Sequence, residues 1–352
     1  MMINYSNKIV QSDMQQITAA SYIDWQKLNG KTVLITGVNG MLATYIVYVL
    51  AYLNRYYDAG ITILATARNI KKAKERFWGL EGHYHFELIE YDVNNPFDYG
   101  GNVDYIIHAA SNASPRFILN DPVGIIKANT IGTMNLLEFA KDKNVTNFLF
   151  LSTREIYGKS IEDNIDEQAY GAFDILESRA CYPESKRMAE TMLQSYYDQF
   201  AIPYTVARLA HSYGPGMELA NDGRIMSDLL NNVVRREDIV LKSDGSAERA
   251  FCYLSDAVTG LFTVLLNAQK CQAYNVANED EPITIRDLAQ LLIDSFPNRQ
   301  LKLIFDIPKV MGKGYSKMGR TKLNTKKLES LGWHKEVSLK EGIKKTVESF
   351  EE

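Results

Sequence analysis

Apolar positions between residues 31 and 209 fall into short blocks whose period alternates between strand and helix. Thr32 to Thr36 is a β-branched and apolar run bounded by a glycine, which predicts a buried strand. An apolar helical stretch follows from Met41 to Leu53, and Ile61 to Ala67 predicts a second strand. A helix is predicted over Ile70 to Trp78, a third strand over Phe86 to Tyr91 ending at Asp92, and a fourth over Val103 to Ala110. The helical run Gly124 to Lys141 leads to a fifth strand, Asn147 to Ser152. A helix after Ser185 reaching about Phe200 then leads to a sixth strand, Pro203 to Arg208. Strands alternating with helices predict an α/β fold with a doubly wound parallel sheet.

Outside this block the pattern changes. From His211 onward glycines and prolines accumulate (Gly214, Pro215, Gly216, Gly223) and the alternation becomes irregular. This suits a smaller C-terminal lobe made of residues 210–250 and 280–352, with 251–279 returning to a first lobe that begins at residue 31. Residues 1–30 read as a polar extension with an apolar patch around Tyr22 to Leu28, a helix or arm lying on the domain or on a partner subunit.

With 352 residues the chain is long enough for a full core. A net charge of −4 gives no reason to expect nucleic acid or an anionic membrane as partner. No apolar run reaches the ~18 residues of a membrane span, and the N-terminus lacks the apolar core of a signal peptide. Cys181, Cys252 and Cys271 are odd in number and widely spaced. They argue against a disulfide framework and a metal site, and suit a reducing cytoplasm.

The chemistry starts at the first strand. Gly37, Gly40 and Ala43 form Gly-x-x-Gly-x-x-Ala directly between a strand and a helix. A structural turn would use such glycines too. The flanking strand and helix favour the phosphate end of a dinucleotide site, where glycines admit a pyrophosphate and helix N–H groups bind it. At the end of the second strand an acid would bind the ribose of NAD, but Ala67 stands there, followed by Arg68 and Asn69. The arginine favours NADP over NAD; a solvated basic helix start, with Lys71 and Lys72, is the other reading. Asp92 and Val93 lie where an adenine amino group is met, and Ala109 and Ala110 where small residues let a cofactor lie flat.

Tyr182 and Lys186 are the most telling pair. Pro183 favours a helix start at that point, which puts Lys186 one turn after Tyr182 on the same face. A phenol with a pKa near ~10 is a poor base at neutral pH, and an ammonium group and an oxidised nicotinamide both favour the phenolate. Ser152, Thr153, Arg154 and Glu155 end the fifth strand, the end at which α/β sites gather their reactive groups. Thr153 can hydrogen-bond a hydroxyl undergoing oxidation, and Glu155 can act as a general acid or base.

Several stretches carry a family resemblance: TGVNGMLA at Thr36 to Ala43, STREIYG at Ser152 to Gly158 and CYPESK at Cys181 to Lys186. Together they resemble the extended short-chain dehydrogenase/reductases that modify nucleotide-activated sugars. Ala113 to Thr133, Tyr213 to Ile225 and Gly245 to Leu261 further resemble UDP-glucuronate decarboxylases, as do Leu331 to Trp333 and Lys340 to Thr346. The resemblance implies a Rossmann-type sheet with a smaller C-terminal substrate lobe, and a homodimer through the helices at 124–141 and 186–200. It implies Thr153, Glu155, Tyr182 and Lys186 as catalytic residues. It places Gly37, Asn39, Gly40, Met41, Leu42, Arg68, Asp92, Val93, Ala109, Ala110, Ser111 and Asn129 around NADP or NAD, together with Tyr182 and Lys186. It places Ser114, Arg116, Arg154, His211, Arg224, Arg249 and Arg320 around the substrate, with Arg249 holding a diphosphate or carboxylate.

Three positions depart from the decarboxylase pattern: Arg154 where serine stands, His211 where asparagine is usual, and Arg68 against an NAD preference. The reaction implied is C4 oxidation to a 4-keto sugar followed by loss of a C5 carboxylate, in the supply of polysaccharide precursors. The alternatives are 4,6-dehydration, C4 epimerisation or C4 reduction of another UDP-, CDP-, dTDP- or GDP-sugar. Arg154 is always protonated and cannot be the acid for dehydration. A non-catalytic, cofactor-sensing regulator on the same fold is a reading of another class, and the Tyr182–Lys186 pair argues against it.

Overall fold

The computed structural model describes residues 3–80, 85–159, 164–220, 222–308 and 322–351. Seven strands build the central sheet: β1 (Thr32–Thr36), β2 (Thr62–Ala67), β3 (Phe86–Glu90), β4 (Tyr105–His108), β5 (Asn147–Thr153), β6 (Tyr204–Leu209) and β7 (Gln272–Val276). They lie in the order β3-β2-β1-β4-β5-β6-β7 and every pair is parallel. The order reverses between β1 and β4, and at such a switch point the crevice outside the strand C-termini receives ligands. This is a Rossmann-like doubly wound sheet.

The period-two alternation of β1 is explained by the two layers it separates. Val33 and Ile35 join the core that contains α2 (Met41–Tyr57) and α6 (Leu254–Leu266). Leu34 faces the other way, into a core with Leu136 and Leu137 of α4 (Pro122–Lys141) and Ala189 and Leu193 of α5 (Cys181–Phe200). Two basic-tipped turns of α3 (Ile70–Arg76) follow β2. A separate apolar cluster joins Leu229, Leu230 and Val233 of the helix Ile225–Arg235 to Leu288 and Leu292 of Ile285–Ser295 and Ile343 and Val347 of Leu339–Glu348.

The structure shifts some element ends. β3 stops at Glu90 and β4 spans only Tyr105–His108. α5 begins at Cys181, so Tyr182 and Pro183 lie in its first turn. At the N-terminus, where a helix or arm lying on the domain or on a partner subunit is expected, α1 (Lys8–Thr18) is capped by Asn7 and buries Val10, Met14 and Ile17 completely. That helix packs on α2 and α6 as part of the main core. Among the described residues, no helix is long and apolar enough to cross a membrane. Cys181, Cys252 and Cys271 are free thiols.

Candidate active site

The glycine turn sits where β1 meets α2. Gly37 has φ +71°, and a Cβ on it would lie 2.6 Å from the Ala110 Cα, so both the backbone angle and the approach of β4 require glycine. Gly40 caps α2, whose Thr44 hydroxyl is 2.8 Å from both the Val38 and Gly40 carbonyls. The Asn39 amide donates to the Asn69 carbonyl at 2.9 Å, tying the turn to the end of β2. Met41 and Leu42 form the half-buried first turn.

Thr36 organises the neighbouring strand end. Its hydroxyl accepts from the Ala109 and Ala110 N–H groups at 3.2 and 3.3 Å, so its own proton points to His108 Nδ1, 2.8 Å away. That fixes His108 as the tautomer with its proton on Nε2. Burial, followed by the charge of Lys186, pushes its pKa down to about 3, so the ring stays neutral.

Four buried polar atoms along this edge have no partner: Asn39 Oδ1, Thr66 Oγ1, Asn94 Oδ1 and Ser111 Oγ. Such atoms are rare in folded proteins. Their placement at the C-terminal ends of β1 to β4 fits a bound dinucleotide, whose ribose, phosphate and base groups would satisfy them. Asp92 instead accepts from the N–H and the amide of Asn94, at 3.0 and 2.9 Å, while Val93 is buried against Gly132 of α4. Arg68 is exposed at the end of β2. Asn69 caps α3 by accepting from the Lys72 N–H at 3.0 Å, and Lys72 pairs with Glu218 across 3.4 Å.

Tyr182 and Lys186 are both buried on α5. Tyr182 shares a hydrogen bond with Thr153, and burial raises its pKa well above the phenol value, with Glu155 adding to the rise. Lys186 donates to the Leu151 carbonyl at 2.7 Å and lies 4.4 Å from the centre of the Phe150 ring. Burial lowers its pKa to about 7, opposed by Glu190. The protein alone therefore holds both groups towards their neutral forms. Asn129 on α4 donates to the Ser185 hydroxyl at 2.9 Å, and Ser185 in turn donates to the Tyr182 carbonyl at 3.0 Å.

Of the substrate candidates, Arg224 bears on Tyr182. His211 is exposed yet surrounded by protein at longer range. That enclosure, with the charges of Arg154, Arg249 and Arg224, holds its pKa down at about 3. Its ring leans on Phe251 at 5.9 Å between centres. Arg224 also pairs with the buried Asp222. Ser114 caps the short helix Pro115–Asn120, which packs against Gly223, while Arg116 is exposed above Phe117. Arg320 lies outside the described residues.

The sequence reading missed Thr36, Thr66 and Asn94 at the strand ends, although polar residues just where apolar strands stop are the available signal. It also missed Arg179, which hydrogen-bonds both carboxylate oxygens of Glu155.

Residues 33–277 match the NAD dependent epimerase/dehydratase family. The chain belongs to that family. It is 33% identical over 321 residues to UDP-glucuronic acid decarboxylase 6 of Arabidopsis thaliana, a match covering 90% of this chain and 88% of the relative. Its fold is similar to that of a UDP-glucose 4-epimerase from Thermotoga maritima solved with UDP-glucose, with a TM-score of 0.75, 21% identity and 91% and 98% of the two chains covered. A dTDP-glucose 4,6-dehydratase from Streptomyces venezuelae, solved with NAD, aligns with a TM-score of 0.75 at 20% identity over 91% of this chain and 97% of its own. The protein is an enzyme of this extended short-chain dehydrogenase/reductase class.

Proposed function

We propose that this enzyme oxidises C4 of a UDP-glucuronate-like sugar nucleotide and releases the C5 carboxylate as carbon dioxide. One observation carries the reading: the charges of Arg154, Arg224 and Arg249 all bear on His211, and that of Arg224 bears on Tyr182 as well. A neutral sugar nucleotide brings the charge of a diphosphate, whereas a uronate adds a carboxylate next to the reacting carbon. Guanidinium groups suit both anions, because their planar donor array matches carboxylate and phosphate oxygens. The likeness to a UDP-glucuronic acid decarboxylase supports the same choice.

In this reading Tyr182 takes the C4 hydroxyl proton, with Thr153 orienting that hydroxyl through the bond it already makes to the tyrosine. When bound, oxidised nicotinamide supplies the hydride acceptor and a positive charge that favours the phenolate. The resulting 4-ketone makes the substrate a β-keto acid, so the C5–carboxylate bond breaks and its electron pair enters an enolate. Lys186, when protonated, favours the phenolate, Glu155 handles a proton as the enolate collapses, and return of the hydride to C4 leaves a UDP-pentose. Gly37, Gly40 and Asn39 would hold the pyrophosphate, Ser111 the neighbouring ribose, and Arg68 a 2′-phosphate, which supports NADP as the preferred cofactor.

A homodimer through α4 and α5 completes the proposal. Both helices expose apolar side chains, Val123, Ile126 and Met134 on one and Met188, Tyr197 and Phe200 on the other. Contiguous exposed apolar surface of this kind marks an interaction face.

The test is a product assay. UDP-glucuronate labelled at its carboxylate should yield labelled carbon dioxide and a UDP-pentose, whereas UDP-glucose and dTDP-glucose should be turned over poorly. Turnover confined to neutral sugar nucleotides would sink the decarboxylase reading.

A further inference from the structure

Arg179 belongs to a short turn, Ser178–Ala180, that runs directly into α5. Its Nη2 donates to both oxygens of Glu155, at 2.9 and 3.0 Å. The two side chains are 50% and 34% exposed, and a pair so open to water contributes little to stability. Its position is better explained by what lies beside it.

Glu155 is bonded through its N–H to the Thr153 hydroxyl at 3.2 Å, and Thr153 shares a hydrogen bond with Tyr182. The carboxylate therefore stands close enough to the phenol to oppose its ionisation, while Arg179 and Arg224 favour it. Lys186 follows Tyr182 by one turn on its own helix, the Cys181 thiol lies in the field of Arg179 and Glu155, and Ile118 and Ile125 pack against the ring. Arg187 fixes the geometry by donating to the Ile156 carbonyl at 2.7 Å and the Gly171 carbonyl at 2.6 Å. It thereby holds the turn that carries Glu155 to the strap that leads to Arg179.

We propose that Arg179 is a positioning residue of the reaction: it holds the Glu155 carboxylate in place and cancels its charge towards the Tyr182 hydroxyl. The phenol can then give up its proton. The inference rests on the reading of Tyr182 as the base.

Two measurements on full-length Arg179→Ala, Arg179→Lys and the Arg179→Ala/Glu155→Gln double variant test it. The first is a tyrosinate absorbance titration of each protein saturated with oxidised nicotinamide cofactor, taken as a difference against the same protein carrying Tyr182→Phe. The second is the pH profile of kcat/KM. Arg179→Ala should move the Tyr182 midpoint and the acidic limb up by about one pH unit, the size expected when a neighbouring charge loses its partner. Activity at neutral pH should fall ~10-fold with that shift. Arg179→Lys should restore most of the profile, and the double variant should return the midpoint without returning turnover. A uniform loss at every pH, with the midpoint unmoved, would overturn the proposal and leave Arg179 a merely structural residue. The titration uses no sugar, so the two ideas fail separately. A shifted midpoint in a protein that turns over no sugar nucleotide defeats the functional reading alone, and an unshifted midpoint in an active decarboxylase defeats the clamp alone.

Discussion

Lys345, on the last helix of the chain, forms an ion pair at 2.8 Å with Asp13, which is completely buried on the first helix. The other oxygen of Asp13 accepts from the Tyr45 hydroxyl at 3.0 Å and the Tyr253 hydroxyl at 2.9 Å. One carboxylate thus joins α1, α2, the start of α6 and the C-terminal helix. Burial pushes its pKa up, and Lys345 opposes the rise.

Removing the lysine should therefore be costly in a pH-dependent way. Lys345→Met leaves a buried carboxylate without its counter-charge, a change worth roughly 3–5 kcal/mol. A carboxyl whose folded pKa lies above its unfolded value stabilises most below the unfolded value, and that stability is lost as pH rises through the folded one. The variant should thus be closest to the parent at about pH 5 and furthest from it at about pH 8. Urea unfolding at both values checks this, and a cost independent of pH would exclude Asp13 as its source.

Tyr182→Phe removes the phenolic oxygen and keeps the ring packed against Ile118 and Ile125. Cofactor affinity should stay within a few-fold of the parent. Turnover should fall by ~10²–10⁴, the usual loss when a general base is deleted. Stopped-flow measurement of hydride transfer gives the answer, and near-normal rates would mean that another group is the base.

Arg154→Ser should weaken UDP-glucuronate far more than UDP-glucose, by roughly the 1.5–3 kcal/mol of a hydrogen bond to a charged group. Titration calorimetry with the two sugars compares them directly. Equal weakening would show that Arg154 reads the diphosphate or supports the fold, and would make a neutral sugar the better substrate.

The exposed Arg68 leads to a cofactor prediction. NADP(H) should bind more tightly than NAD(H), and Arg68→Ser should remove the difference, again about 1.5–3 kcal/mol. Equal affinities in the parent would place the guanidinium in water rather than on a 2′-phosphate.

What was legible in the chain was what is local. The glycine turn, the strands around it and the Tyr182–Lys186 spacing each lie within one short segment, where backbone geometry and helical period leave a direct trace. α1 left a trace too, with Val10, Met14 and Ile17 spaced along one helical face behind the Asn7 cap. Its many polar residues masked that pattern, and a buried aspartate reads as a surface residue until Lys345 is brought to it. The Arg179–Glu155 pair and the arginines around His211 depend on segments far apart in sequence, so no periodicity announces them. Strand ends were overread because apolar side chains continue past the last ladder bond, as at Ala109.

The last strand of the sheet has a consequence for how the protein is made. β7 pairs with Thr205 to Leu209 of β6, yet the part of the separate apolar cluster from Tyr213 to Tyr253 is encoded between them. During synthesis β6 emerges with one hydrogen-bonding edge unpaired and stays so until residue 276 has left the ribosome. An open, largely apolar edge is a template for pairing with other chains. Translation of the intervening segment is therefore an interval in which nascent chains are prone to stick to one another. Slowing the ribosome there should lower soluble yield more than the same pause placed after residue 276.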